Sequence, residues 1–284
     1  MQVVDQIKDR IDIVEFISGY VPLKKAGRTY KGVCPFHAEK TPSFVVFPHT
    51  QTWHCFGACG TGGDIFTFLM RREGLDFSEA LRQLADRAGV VLEPPTPRTE
   101  AMDARRARFL EMHLAAAQYY HNLLRNADEA SEARDYLSRR GIRTETVERF
   151  QLGFARNAWD GLKSYLVGRG YNEAELVEGG LLVARESGDG SYDRFRNRLI
   201  IPIRDAKGRV IAFGARALHP NDVPKYLNSP QTQIFDKGAT LFGLDLARQA
   251  IRATDCAVLV EGYMDVISAH QAGHANVVAG MGTA

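Results

Sequence analysis

Cys34-Pro-Phe-His37 and, seventeen residues further on, Cys55-Phe-Gly-Ala-Cys59 decide how the first part of this chain folds. Each pair can present two soft ligands from one turn, and two such knuckles separated by a short sheet supply the tetrahedron that structural zinc takes. The closed set Cys34, His37, Cys55 and Cys59 leaves no coordination position for a substrate, so one structural Zn2+ is expected. His49 and His54 are rival ligands, although His54, beside Cys55 in a strand, should point to the opposite sheet face. The fourth cysteine, Cys256, lies far off in an apolar run and is expected as a core thiol rather than a disulfide partner.

Outward from the knuckles, Tyr30 to Cys34, Ser43 to Phe47 and Thr52 to Cys55 read as short antiparallel strands broken by Pro35, Pro42 and Pro48. Before them, Val3, Ile7, Ile11, Val14 and Ile17 recur at helical spacing, so one short amphipathic helix or a pair opens the chain. After them, Asp64 can cap a helix that Gly74 ends, and Ser78 can cap a second one ending near Gly89. The run Glu93-Pro-Pro-Thr-Pro-Arg-Thr99 carries three prolines and is read as the domain boundary.

Beyond it the pattern is helical over 101–127, 131–140, 144–150, 159–167 and 172–178. Gly188-Asp-Gly190 marks a turn, and Asp205-Ala-Lys-Gly208 joins the β-rich runs Leu199 to Ile203 and Arg209 to Phe213 into a hairpin. Ala257 to Val260 is expected as a buried strand, Tyr263 to Gln271 as a helix and Ala275 to Ala279 as a second strand, an order that implies a parallel βαβ unit. The fold class is thus α+β and multidomain, with segments 1–93, 94–104 as linker, 105–245 and 246–284.

The 284 residues are 45% hydrophobic and 25% charged, with mean hydropathy −0.24, which excludes collagen-like, disordered and disulfide-scaffold classes. No run reaches the roughly 18 apolar residues of a membrane span, and the first ten residues lack the basic and apolar segments of a secretory signal, so no membrane partner and a cytoplasmic location are expected. A net charge of +2 names no partner, but its distribution is uneven. Between Pro22 and Gly63 five Lys or Arg face Glu39 alone, and between Arg194 and Lys237 nine face three Asp.

Around the knuckles Tyr30, Phe36, Phe44, Phe47, Trp53 and Phe56 interleave with Lys24, Lys25, Arg28, Lys31 and Lys40. Stacking faces with cations that track phosphates make a surface for single-stranded nucleic acid, while a domain this small also needs aromatics to cover its metal; both readings stand. Glu261 follows an expected parallel strand, where α/β folds place ligands and catalysis, and an acidic helix start equally suits the dipole. Asp265, one turn on, joins it or is solvated. Lys225, Asn228 and Ser229 on a proline-bounded loop, with Lys237 and the run Arg194-Phe-Arg-Asn-Arg198, read as a phosphate cradle or as an exposed charged loop.

Taken together, Cys34-Pro-Phe-His37 with its second Cys pair, Tyr-Leu-Ser-Arg-Arg-Gly141, Arg-Phe-Arg-Asn-Arg198, Pro-Lys-Tyr-Leu-Asn-Ser-Pro230 and Val-Glu-Gly-Tyr-Met-Asp265 resemble the bacterial replicative primase family, in that family's order and over almost the whole chain. The resemblance implies an amino-terminal zinc-ribbon DNA-binding domain, a basic amino-terminal subdomain of an RNA polymerase domain, and the start of a Toprim-type parallel sheet. It implies synthesis of RNA primers from ribonucleoside triphosphates on a single-stranded DNA template at the replication fork. Glu261 matches the Toprim glutamate, and Arg140, Arg194, Arg196, Lys225, Asn228 and Lys237 match residues that meet template and nucleotide phosphates. A complete Toprim site takes Mg2+ or Mn2+ with a further Asp-x-Asp pair, which these residues do not contain, so residues 1–284 are expected to bind template without polymerising. A replicative helicase partner is implied through a region outside them.

Two departures bear on this. Cys-x3-Cys stands where the family has Cys-x2-Cys, so one extra residue must bulge without breaking the tetrahedron, and the sequence ends within or just past the second Toprim strand. A stand-alone zinc-ribbon single-stranded DNA-binding or regulatory module and a mobile-element primase-helicase relative are the alternative readings.

Overall fold

A computed structural model describes residues 3–92, 97–186, 188, 190–219 and 222–281. The chain divides into two compact units, residues 1–95 with 249–256 and residues 96–248 with 257–284.

The first unit opens with two short helices, α1 (Val3–Arg10) and α2 (Ile13–Ser18), the second capped by the Asp12 carboxylate, which accepts from the Glu15 amide at 2.9 Å. Five strands follow in one antiparallel sheet whose spatial order is its chain order: β1 (Lys24–Ala26), β2 (Thr29–Gly32), β3 (Phe44–Phe47), β4 (Thr52–Cys55) and β5 (Gly62–Gly63). The two outer strands were not expected from sequence, because β1 is exposed throughout and β5 is two glycines, so neither shows apolar alternation. Helix α3 (Ile65–Glu73) is capped by Asp64 and ended by Gly74 in the left-handed conformation, as expected. Helix α4 (Phe77–Ala88) corrects one expectation: its cap is Asp76, not Ser78. Asp76 forms a reciprocal capping box with Glu79, three residues on, and Ser78 lies inside the helix, donating to Asp76 at 2.8 Å. Phe16, Phe44, Trp53 and Phe68 are buried between the sheet and the helices, with the Phe44 and Trp53 rings stacked at 5.1 Å.

The second unit is built on α5 (Pro97–Asn126). Of the expected linker, residues 93–96 lie outside the described residues, and residues 97–104 are the first turns of this helix. Pro97 takes its first position, where a missing N–H costs nothing. A short 3-10 turn leads to α6 (Ser131–Arg139) and α7 (Thr144–Phe150). Then come β6 (Gly153–Ala155), α8 (Gly161–Val167), α9 (Glu173–Glu178), β7 (Leu182–Ala184) and β8 (Ser191–Asp193). β7 and β8 form a ribbon whose connecting turn lies partly on residues outside the description.

The expected hairpin is β9 (Arg198–Arg204) with β10 (Val210–Ala217), and both strands are almost wholly buried. With β11 (Tyr226–Asn228) and β6 they form a four-stranded sheet in the order β11-β10-β9-β6. Helix α5 lies against it so closely that a Cβ on Gly153 would fall 2.6 Å from Tyr120 Cβ and 2.8 Å from the Tyr120 carbonyl carbon, so this position accepts no larger residue without backbone movement. Phe213 is the centre of the core, met edge-on by Tyr120 at 5.7 Å and in parallel by His113 at 5.8 Å.

The last elements are β12 (Leu241–Phe242), α10 (Leu244–Thr254), β13 (Val258–Val260), α11 (Tyr263–Gln271) and β14 (Val277–Gly280). β13 and β14 pair in parallel across α11, the βαβ unit expected, and β12 adds to the other side of β14. β13 is not the buried strand its apolar run suggests. Among the described residues it lies at the edge of its sheet, with Val258 42% and Leu259 69% exposed. Cys256, expected as a core thiol, is exposed just before it.

Candidate metal centre and nucleic-acid interface

The loops before β3 and after β4 bring the two knuckles together. The ligand atoms of Cys34, His37, Cys55 and Cys59 lie within 4.8 Å of one another, with the first three residues buried. Cys34 Sγ and Cys59 Sγ are 3.7 Å apart and Cys55 Sγ lies 3.8 Å from His37 Nδ1. A tetrahedron with Zn–S bonds of about 2.3 Å has edges of about 3.8 Å, so the donor set fits zinc in kind and in spacing. His54 Nδ1 is buried without a hydrogen bond and its ring packs 4.7 Å from Phe56, away from the cluster, as expected for the opposite face.

The extra residue of the second knuckle is taken up in a turn in which the Gly57 amide donates to Cys55 Sγ at 3.3 Å and the Gly60 amide to the Gly57 carbonyl. Burial pushes the Cys34 thiol up; burial also acts to raise Cys59, but hydrogen bonds from Thr61 and the neighbouring thiols outweigh it and bring Cys59 to about 7. A cation supplied to the cluster removes both protons.

Glu39 is a residue that the ligand pattern missed. Its Oε1 accepts from the Cys34 amide at 2.7 Å and the Ser43 amide at 3.0 Å, and its Oε2 accepts from the Ser43 hydroxyl and lies 3.1 Å from His37 Nε2. Desolvation acts to raise its pKa, but these hydrogen bonds hold it below the usual carboxylate range. Its signal in the sequence is its isolation, the one acid among five basic residues of that stretch.

The aromatic residues around the centre divide between the two open readings. Phe44 and Trp53 are buried, Tyr30 and Phe36 pack against the core, Phe47 is half-buried and Phe56 is 68% exposed. Packing thus accounts for most of them and leaves the Phe47, His54 and Phe56 edge outward.

In the second unit the basic residues lie in and around the four-stranded sheet. Arg194, at the entry to β9, donates to the Asn228 carbonyl at 3.0 and 3.2 Å, and burial lowers its pKa. Asn228 Oδ1 accepts from the Tyr263 hydroxyl at 2.8 Å, two residues beyond the exposed Glu261. The expected cradle residue Ser229 is instead wholly buried and accepts from the Phe213 amide. Lys225 is exposed and Lys237 half-buried.

Arg140 lies at the end of α6 with its guanidinium 5.5 Å from the Tyr136 ring, while Arg196 stacks over Trp159 at 4.2 Å and Tyr192 at 5.0 Å. Arg198 and Arg216 extend the basic set. Arg198 donates to the Pro224 carbonyl at 2.7 Å, bracing the Lys225 segment, and Arg216 sits 4.0 Å over Tyr136 on the ring that Arg140 also meets. Arg216 was legible as a lone cation in an otherwise apolar strand. Glu261 and Asp265 are both exposed, and neither belongs to a metal-ligand cluster among the described residues. No described helix is long and apolar enough to cross a membrane.

A zinc ribbon, a basic α+β core and the opening βαβ of a parallel sheet therefore follow one another. Three family profiles match in that order: a CHC2 zinc finger over residues 1–100, the DNA primase catalytic core amino-terminal domain over 119–248, and a Toprim domain over 255–284. The chain belongs to the DNA primase family. It is 48% identical over 282 residues to a DNA primase of Halalkalibacterium halodurans and 45% identical over 288 residues to one of Listeria monocytogenes, in each case over 99% of this chain. It spans 47% and 46% of those relatives, about half their length. Among solved structures it resembles the zinc-binding and RNA polymerase domains of the Aquifex aeolicus primase, at 35% identity and TM-score 0.58, covering 100% of this chain and 67% of that one. It also resembles a DnaG primase catalytic domain bound to single-stranded DNA, at 42% identity and TM-score 0.59, covering 64% and 56%. The zinc-finger match and the geometry agree on one structural zinc held by the Cys/His cluster.

Proposed function

We propose that these residues are the template-binding part of a DNA primase that makes short RNA primers from ribonucleoside triphosphates on single-stranded DNA. The observation that carries the reading is Asn228. Arg194 holds its main chain and Tyr263 its side chain, so β11, which directly follows Lys225, is fixed beside the segment that follows Glu261. Anion-binding groups and the acidic strand end then share one region, the arrangement a phosphoryl-transfer site needs. In this reading Glu261 is the first metal-binding carboxylate, and Arg140, Arg194, Arg196, Lys225, Asn228 and Lys237 meet template or nucleotide phosphates. The segments 1–93, 105–245 and 246–284 serve as zinc-ribbon, basic and Toprim parts. A replicative helicase would dock through residues beyond these, at the replication fork. The stand-alone zinc-ribbon reading is disfavoured by the matches over residues 119–248 and 255–284.

Fluorescence anisotropy with labelled single-stranded DNA at two salt concentrations tests the interface. Lys225→Ala with Lys237→Ala should weaken binding at low salt about tenfold and reduce the slope of log affinity against log salt by about 1.4, since each phosphate contact on a single strand contributes about 0.7. An unchanged slope returns both lysines to the exposed-loop reading.

A second expectation concerns polymerisation. Two-metal transfer needs carboxylates from more than one strand end to hold the ions that activate the 3′-hydroxyl and the leaving pyrophosphate, and Glu261 with Asp265 does not supply them. Residues 1–284, given template, ribonucleoside triphosphates and Mg2+ or Mn2+, should bind DNA and yield no primer. A ladder of short RNAs under those conditions would overturn this.

A further inference from the structure

We propose that Glu39 is the positioning residue of the zinc centre, fixing which nitrogen of His37 meets the metal, and that Gly57 exists to let it do so. The inference rests on the zinc assignment above and adds to it.

A carboxylate can only accept hydrogen bonds. With Glu39 Oε2 at 3.1 Å from His37 Nε2, the hydrogen of the neutral ring sits on Nε2, and the lone pair is left on Nδ1. Nδ1 is the atom that faces the thiols, 3.8 Å from Cys55 Sγ. Such a carboxylate–histidine–metal relay orients the ring and raises its basicity. Glu39 is itself held, because Oε1 closes the loop between Cys34 and Ser43 through both their amides, so one side chain sets the entry of the first knuckle and the ligand atom of the second donor.

The second knuckle is shaped around this group. A Cβ on Gly57 would lie 2.5 Å from Ser43 Oγ, 2.9 Å from His37 Nε2 and 3.0 Å from Glu39 Oε2. All three are the polar atoms of the relay, and none can retreat without breaking a bond to another. The glycine inside Cys-x3-Cys thus leaves open the space in which the groups that orient the first knuckle sit.

The test is zinc competition against a chromophoric chelator, with 15N NMR of the His37 ring, on the 284-residue chain. Wild type should hold one zinc with Nδ1 ligated and Nε2 protonated. In Glu39→Gln the carboxamide can donate to His37 Nε2, which favours the tautomer whose Nδ1 carries hydrogen and cannot ligate. Zinc affinity should fall about 10- to 100-fold. Gly57→Ala, which keeps the carboxylate and displaces it, should shift affinity in the same direction and serves where the Glu39 variant folds poorly. Wild type without zinc would sink the metal assignment itself. Zinc bound with Nε2 ligated, or affinities within twofold of wild type in both variants, would leave that assignment standing and overturn the role of Glu39.

Discussion

Replacing Cys55 by serine is expected to abolish zinc binding and unfold residues 3–92 while the second unit stays folded. Cys55 and Cys34 are ligands and also members of the first unit's buried core, beside Phe44, Trp53 and Phe68. The sheet that carries them is short, and its outermost strands are an exposed lysine pair and two glycines, so its buried residues come from the three central strands alone. Structural zinc contributes about 10–16 kcal/mol in small zinc domains, as much as the whole stability of an ordinary domain at about 5–15 kcal/mol. Removing one thiolate also leaves a buried, partly ligated cluster. The loss should therefore exceed the stability that the helices provide. The chain has two tryptophans, one in each unit, so 19F NMR of fluorotryptophan protein reads the units separately. Trp53 should move to its unfolded position and elemental analysis should fall from one zinc per chain to none, with Trp159 unchanged. A full complement of zinc with an unshifted Trp53 would refute the ligand assignment.

Much of this architecture was legible because the decisive signals are local. Asp64 and Gly74 bracket a helix by cap chemistry that needs no tertiary information, and the hairpin at Asp205–Gly208 is a turn with a register. The errors arise where two local rules compete or where burial depends on a neighbour. Asp76 and Ser78 can each cap a helix, and the choice falls to Asp76 because Glu79 closes the box with it. Val258 and Leu259 read as buried because strands of continuous apolar residues usually are. A run of four residues cannot reveal that it forms the edge of its sheet. The metal ligands are visible as spacing, whereas Glu39 is visible only as an exception to a basic stretch, since what it contacts is set by the folding of the loop. Among the basic residues the sequence gives the charge but not the bracing. That Arg194 grips the Asn228 main chain and Arg198 the Pro224 carbonyl follows from the sheet order β11-β10-β9.

The second unit should lose stability as pH falls from about 6.5 towards 4, with His113 as the largest single cause. His113 is wholly buried in α5. Its Nδ1 lies 2.8 Å from the Phe109 carbonyl, and its Nε2 makes no hydrogen bond. A proton on Nε2 would place a charge in the core against Phe213, and burial, outweighing the Phe109 and Gly179 backbone groups that favour the charged ring, lowers the pKa from 6.5 to about 4. Above pH 6.5 the ring is neutral in folded and unfolded chains alike and the full stability is present. Between 6.5 and 4 the unfolded chain binds the proton and the folded chain does not, so stability declines with falling pH; below 4 both are protonated and the loss is complete, at about 3 kcal/mol. His270, whose pKa burial also lowers, adds in the same direction. Asp193 and Asp245 act oppositely at the acid end, because burial holds their carboxyls above the usual range and their protonation favours the folded state. The contribution of His113 is thus read by difference. Urea unfolding followed at Trp159 by 19F NMR should show wild type falling relative to His113→Leu by about 3 kcal/mol between pH 7 and pH 4, with the two diverging from pH 6.5 downward. Parallel curves would mean that the Phe109 and Gly179 backbone groups offset the burial of the charge, and the physical account of this core histidine would have to be abandoned.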